Sequence, residues 1–287
     1  MVIHTTTEAP VGRRRPDRFT PDQHNFMDTE IQRLLGLRVL RHSTSLWNSP
    51  PILREKGGLI KWRLCQDYRE LNSVSIKLPN SIPLISDVLG AIAESIIFSK
   101  MDMTQGFLQL ELDENSKKKT AFTVSGGCYE YNLASLGLTN VPGYFCFSVS
   151  NIFVLLRKII NSFYDDFIGH SKGKNQREGL GQHIKDLRLI LQRCKDNNIF
   201  LNFLKSIFFQ PNIEVLGYRV AENKQMLPLA LSGKLDALQP PRSSKDIQRF
   251  LGLVGFYRTY VRGFATIASP LIEAQTNKLF VWTAECQ

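Results

Sequence analysis

Two aspartates in succession, Asp165 and Asp166, stand between the apolar segments Ile159-Ile160 and Phe167-Ile168, and no other feature of the chain restricts its fold as tightly. Paired carboxylates in apolar surroundings cost several kcal/mol unless a cation or hydrogen bonds compensate them. The pair therefore belongs at a turn between two strands, with a compensating partner. A third carboxylate, Asp102, follows the apolar run Ile96-Ile97-Phe98 and falls at a strand end. Three carboxylates on neighbouring strands make an oxygen-only site of the kind magnesium prefers. Two such ions about 4 Å apart can activate an attacking hydroxyl and stabilise a leaving phosphate. Taken alone, an aspartate pair more often marks an exposed turn with solvated charges, so the surrounding residues must decide.

The charge balance narrows the partners. A net charge of +10 and a pI near 9.4 surround the chain with a positive field that favours nucleic acid or an anionic membrane surface. No apolar run approaches the roughly 20 residues that span a bilayer, and the polar start predicts an intracellular protein of cytoplasm or nucleus. The five scattered cysteines lack the close pairs of a zinc site or a disulfide framework, and the five histidines share no ligand spacing with them.

Along the chain, residues 1–18 read as an extended basic arm carrying Arg13, Arg14 and Arg15. Thr20-Pro21-Asp22-Gln23 supplies an N-cap, a proline at the first helical position and a capping-box glutamine, followed by Phe26, Ile31, Leu34 and Leu35 on one helical face. A hairpin is predicted between Ile52 and Leu71, its loop bearing Arg54, Lys56 and Lys61 and its second strand Arg63. Leu108, Leu110 and Leu112 alternate with polar residues, which predicts a half-buried strand. Thr120–Val124 and Tyr129–Leu133 form a second predicted hairpin, and Pro142–Arg157 a mostly apolar helix. Ile184, Leu187, Leu191 and Cys194 predict a helix ending at Asn197-Asn198. After Pro240-Pro241, Ser243 caps a last amphipathic helix bearing Ile247, Phe250, Leu251, Val254 and Tyr257.

Several ordered segments carry a family likeness. Lys61 to Asn72, Phe98-Ser99-Lys100-Met101-Asp102, Lys119-Thr120-Ala121-Phe122, Gly137 to Pro142 and Tyr164-Asp165-Asp166 resemble the polymerase motifs of gypsy-type long-terminal-repeat retrotransposon reverse transcriptases. The likeness continues through Leu201-Asn202, Lys205, Leu216-Gly217, Arg249 to Leu253 and Tyr257-Arg258. It implies an α+β right-hand polymerase fold. Fingers would take residues 19–95 and 113–140, palm 96–112 and 141–222, and thumb with the start of the connection 223–287.

By the same resemblance, Asp102, Asp165 and Asp166 would be the catalytic metal ligands, holding two Mg²⁺ ions, with Mn²⁺ as a substitute, and Lys205 would protonate the departing pyrophosphate. Lys56 and Arg63 would grip the incoming deoxynucleoside triphosphate, with Phe107, Leu136 and Tyr164 lining its pocket and Phe107 excluding the ribose 2′-hydroxyl. Leu216, Gly217, Tyr257, Arg258 and Arg262 would meet the primer and the RNA or DNA template. The chain departs from the family pattern at Ala134-Ser135-Leu136, Cys146 and Phe163-Tyr164, and Asn161, Ser162 and Gly169-His170 are unusual for strands flanking the pair. These departures favour an alternative expectation, a non-catalytic descendant that keeps the fold as a nucleic-acid-binding module.

Overall fold

The computed structural model of the chain describes residues 1–12, 18–55, 62–79, 83–124, 126–222, 224–226 and 238–276, together with Leu235 and Trp282. The chain divides into two units, Met1–Ile213 with Ala221–Asn223, and Glu214–Val220 with Lys224–Gln287.

The first unit opens with a segment that departs from the predicted arm. Ile3 is buried, its N–H donates to Ser116 Oγ at 2.7 Å, and Thr5 bridges Ser75. The cause lies in Lys119, a nearly buried ammonium that donates to the Ile3 carbonyl at 3.0 Å and to Thr5 Oγ1 at 2.9 Å. A buried ammonium needs acceptors, and the segment supplies them. Arg13, Arg14 and Arg15 lie outside the described residues.

Helix α1 (Pro21–Gly36) starts as the capping box predicts: Thr20 Oγ1 accepts from Gln23 N while Gln23 Oε1 accepts from Thr20 N. Its fully buried face is Met27, Ile31 and Leu34, with Phe26 and Leu35 at the margins. After β1 (Leu40–His42), strands β2 (Pro51–Glu55) and β3 (Trp62–Gln66) form the predicted antiparallel hairpin, with Arg54 on β2 rather than in the loop. Two short helices, α2 (Arg69–Val74) and α3 (Ile85–Ile92), lead into β4 (Ile97–Met103).

The strand predicted over Leu108–Leu112 does not form. The chain turns at Gln105 (φ 50°) into a 3₁₀ turn over Gly106–Gln109, and only Glu111 makes a bridge, to Leu133. The Gln109 amide ties this turn to the neighbouring chain, donating to the carbonyls of Thr104 (2.6 Å) and Phe200 (3.0 Å) and accepting from Phe200 N at 2.9 Å. Alternating leucines record burial here without a regular strand: all three pack on the core, while the backbone bonds partly within the turn (Leu110 N to the Phe107 carbonyl, 3.1 Å) and partly across to residues 132–134 (Leu112 N to the Asn132 carbonyl, 3.0 Å, and Ala134 N to the Leu110 carbonyl, 2.8 Å).

Beyond α4 (Glu114–Lys119), β5 (Phe122–Val124) and β6 (Gly127–Tyr131) form the second predicted hairpin, to which β1 adds. Helix α5 (Val141–Ile152) stops short of the predicted Arg157, and residues Val154–Leu156 tighten into a 3₁₀ turn. Strands β7 (Ile160–Phe163) and β8 (Asp166–Ser171) flank the aspartate turn, helix α6 (Gln176–Asp196) follows, and β9 (Leu201–Gln210) completes a four-stranded antiparallel sheet of order β7-β8-β4-β9. One core gathers Met101, Phe145, Phe167, Leu187 and Ile190 from that sheet, α5 and α6.

A three-stranded sheet of order β10-β11-β12 comprises β10 (Asn212–Val215), β11 (Tyr218–Ala221) and β12 (Lys224–Met226). In the second unit, Ser243 caps helix α7 (Ser244–Gly255) as predicted and Ile247 is fully buried; helix α8 (Phe264–Thr276) follows. Tyr218 packs on Phe256, Tyr257 and Tyr260, with ring centroids 5.3 to 5.8 Å away. No helix among the described residues is long and apolar enough to cross a membrane.

Candidate active site

Strand alternation decides which side chains meet. Pairing of β4 with β8 sets Asp102 opposite Asp166 and Lys100 opposite Ile168, so Lys100, Asp102 and Asp166 share one face of the sheet. Ser99, Met101 and Phe167 point to the other face. The sequence motif Lys-x-Asp thus becomes a cation and an anion side by side, beside a second anion from the neighbouring strand.

Asp165 lies in the turn. Phe163 pairs with Asp166, leaving Tyr164 and Asp165 as a two-residue loop, and Tyr164 takes φ 52°. A positive φ at the first loop position is the type II′ pattern that glycine satisfies most easily, so a tyrosine there carries local strain. Met103 N donates to the Asp165 carbonyl at 3.1 Å and ties the turn to the end of β4. A Cβ on Gly106 would come within 3.4 Å of Asp165 Cβ, so the 3₁₀ turn after β4 is packed against the same aspartate. Cys146, buried on α5, reaches the Tyr164 backbone, and burial pushes its thiol pKa up.

Two ammonium groups sit on the carboxylates. Lys100 Nζ lies 2.7 Å from Asp166 Oδ2, and Lys205 Nζ lies 3.6 Å from Asp102 Oδ2. Lys205 owes its position to a wide bulge: β9 runs through residues 203–206 while β4 passes Met101 alone. Asn202 and Ser206 close that bulge. Asn202 Oδ1 accepts from Lys205 N at 3.3 Å, Ser206 Oγ donates to the Asn202 carbonyl at 2.7 Å, and Asp102 N donates to Ser206 Oγ at 3.1 Å. Lys100 was legible only as a motif neighbour of Asp102, with strand parity as its signal, and Ser206, inside the bulge, had none.

The opposite face carries polar groups that composition alone did not single out. His183 is fully buried, with Ser99 Oγ 2.7 Å from its Nε2 and Ser171 Oγ 2.9 Å from its Nδ1. Ser171 Oγ donates to Asp186 Oδ2 at 2.6 Å, so it must accept from His183 Nδ1–H, which leaves Nε2 to accept from Ser99. Burial lowers the pKa of the ring and so favours its neutral form. His170, on the carboxylate face of β8, is held between Ser95 Oγ and Asn161 Nδ2, both at 2.9 Å, and burial lowers its pKa to about 4. Asn161, out of place in an apolar strand, is thus the histidine's partner.

The remaining predicted residues are scattered through their units. Arg63 is exposed on β3 directly opposite Arg54, a like-charge pair that favours an anion between or near them. Lys56 lies outside the described residues. Phe107 is half-buried, edge-on to Phe145 at 5.4 Å. Leu136 is exposed beside Ser135, whose hydroxyl meets Tyr68 OH at 2.8 Å. In the second unit, Leu216 (φ 53°) and Gly217 (φ 80°) form a turn whose Gly217 carbonyl accepts from Tyr257 OH at 3.0 Å, and Arg258 is exposed at the start of a 3₁₀ turn. A cavity of about 1020 Å³ lies elsewhere, bounded by His4, Arg41, Trp47 and Lys119, and none of the predicted site residues lines it.

The donor set fits a divalent cation in chemistry: oxygen only, with two carboxylates in direct register. Among the described residues, no three acidic, histidine or cysteine side chains are gathered tightly enough to hold an ion. The Asp102–Asp166 pair is assembled, and Asp165 is exposed in the adjoining turn.

Comparison with known proteins agrees with this architecture. The profile described as "Reverse transcriptase (RNA-dependent DNA polymerase)" matches residues 53–220. The retrovirus-related Pol polyprotein from transposon 297 of Drosophila melanogaster is 31% identical over 280 residues, which cover 94% of this chain and 25% of that protein. The Pol polyprotein from transposon gypsy of the same fly is 27% identical over 255 residues, covering 87% of this chain and 24% of the relative. The chain thus spans about a quarter of these relatives. Among solved structures, a foamy viral protease-reverse transcriptase in complex with double-stranded DNA superposes with a TM-score of 0.83 at 23% identity, over 99% of this chain and 51% of that one, and shares its mixed helix and sheet polymerase fold. By profile, relatives and fold together, the chain belongs to the reverse transcriptase family, on the long-terminal-repeat retrotransposon branch.

Proposed function

We propose that the chain is the polymerase module of a retrotransposon Pol polyprotein and extends a primer 3′-hydroxyl with deoxynucleoside triphosphates on an RNA or DNA template. The observation that carries this reading is the register of Asp102 with Asp166 beside the Asp165 turn, on a sheet face that also presents two ammonium groups. In this reading residues 19–95 and 113–140 act as fingers, 96–112 and 141–222 as palm, and 223–287 as thumb and start of the connection. Relatives of the fold have been solved with double-stranded DNA and with an RNA/DNA hybrid, which fits the net charge of +10.

Asp102, Asp165 and Asp166 would hold two Mg²⁺ ions, which lower the pKa of the attacking hydroxyl and neutralise the triphosphate when bound. The chain's own residues orient and protonate. Arg54 and Arg63 offer paired guanidinium groups to the phosphates from one hairpin. Phe107, braced by Phe145, would exclude a ribose 2′-hydroxyl. Lys205, steadied by Asn202, would donate a proton to the departing pyrophosphate. Gly217 and Tyr257 would support the primer, and Arg258 a template phosphate.

Extension of a labelled primer on a synthetic RNA template tests the reading. The native chain gives product, and Asp165→Asn lowers its rate by at least about 1,000-fold while nucleic-acid binding persists. Binding without extension by the native chain would instead favour the non-catalytic module, a reading to which the unclosed carboxylate group lends support.

A further inference from the structure

Lys100 precedes Asp102 by two residues on β4, and its ammonium lies 2.7 Å from Asp166 Oδ2. Its register partner on β8 is Ile168, so the contact is a diagonal one that only a long side chain can make. On the other side it faces Ile207 of β9, an apolar neighbour with no charge to offer it. Both members of the ion pair are about three-quarters covered, with side-chain exposures of 26% and 25%. Lys205 differs: it is 69% exposed and 3.6 Å from Asp102, a pair that solvent screens.

Carboxylates set directly opposite one another repel, and Asp102 and Asp166 are such a pair. An ammonium on the same face removes that repulsion. A divalent cation arriving at the same oxygens meets a like charge already seated there, and one of the two must give way. We propose that Lys100 is a built-in counter-ion for Asp166, a positioning residue that keeps the carboxylate pair assembled when no metal is bound and lowers the affinity of the site by competing for Asp166 Oδ2. The proposal rests on the reading that these aspartates take a divalent cation.

Mn²⁺ binding to the full chain, without nucleotide or nucleic acid, tests this by calorimetry, with melting curves recorded in chelator and in Mn²⁺. Lys100→Met keeps the length and removes the charge; Lys100→Arg keeps the charge. The methionine variant is expected to bind Mn²⁺ about tenfold more tightly, as removal of a partly screened like charge should allow. It should also melt lower in chelator and gain more from Mn²⁺ than the native chain. The arginine variant stays near native values. If the methionine variant is unfolded, Lys100→Gln carries the same comparison. Unchanged or weaker Mn²⁺ affinity in the neutral variants, with binding still abolished by Asp165→Asn, overturns the role of Lys100 and leaves the metal reading standing. Absence of Mn²⁺ binding in every variant overturns both.

Discussion

The two faces of the β7-β8-β4-β9 sheet solve the same problem in opposite ways. Beneath α6, Ser99, Ser171, His183 and Asp186 form a buried hydrogen-bond chain, and burial there favours the neutral form of the histidine. On the opposite face, Lys100, Asp102 and Asp166 are charged, partly exposed and joined only by ion pairs. A buried hydrogen-bonded network fixes the fold. Opposed charges at a partly wet surface leave the site open to an incoming cation. The difference teaches where function can reside: burial alone marks the first face, whereas incomplete compensation marks the second.

The widest gap between the faces should appear on substitution. His183→Ala removes the partner of Ser99 and Ser171 and leaves a cavity, for a loss of about 3 kcal/mol in unfolding free energy. Asp102→Asn should change stability by less than about 0.5 kcal/mol, because it relieves repulsion across β4 and β8 while giving up a screened pair. Primer extension should show the reverse order, with the aspartate variant at least about 1,000-fold slower. Urea unfolding and extension rates on the two variants check this, and comparable stability losses would erase the distinction between the faces.

Titration sharpens the contrast next. His170 has a folded pKa of about 4 against an ordinary value of 6.5, and burial lowers that of His183 as well. A depressed histidine pKa means that the unfolded chain takes up the proton first. Stability is full above pH 6.5 and falls as pH drops through 4, by about 3 kcal/mol for His170 alone. Denaturant midpoints between pH 7 and 4 should trace that slope, and His170→Asn should flatten it. An unchanged slope in that variant would assign the acid sensitivity to other groups.

How much of this was legible in the sequence depends on the range of the interactions. The capping box at Thr20, the Ser243 cap, both hairpins and the strands around Asp165-Asp166 follow from local chemistry, and the structure has them. Leu108 to Leu112 failed because alternation reports burial, whereas the 3₁₀ turn there is tied by Gln109 to Phe200, a contact that no window includes. The three aspartates were visible as a pattern, but the Lys100 contact required the β4–β8 register. His183 and Asp186 lie three residues apart on α6 and carry no local signal; only the serines of β4 and β8 turn them into a network. The first residues, expected as a loose arm, are pinned by a lysine more than a hundred positions away.

Gly169 offers the smallest test, on the strand that both faces share. As a sequence feature it weakens β8, yet that strand is continuous and its residues beyond Asp166 are buried. The glycine is explained by approach: a Cβ there would meet Ile190 Cδ1 at 3.3 Å and Met101 Cε at 3.4 Å, so α6 packs against bare backbone. Both contacts are far ends of flexible side chains and can shift by a few tenths of an ångström. Gly169→Ala should therefore cost only about 1 kcal/mol, with the strain taken up by Ile190 and Met101 on the buried face. Because Gly169 pairs with Ser99 and not with the carboxylates, Mn²⁺ affinity should remain native. A change in metal binding with little loss of stability would mean that the buried face tunes the open one, and the two could no longer be treated as independent.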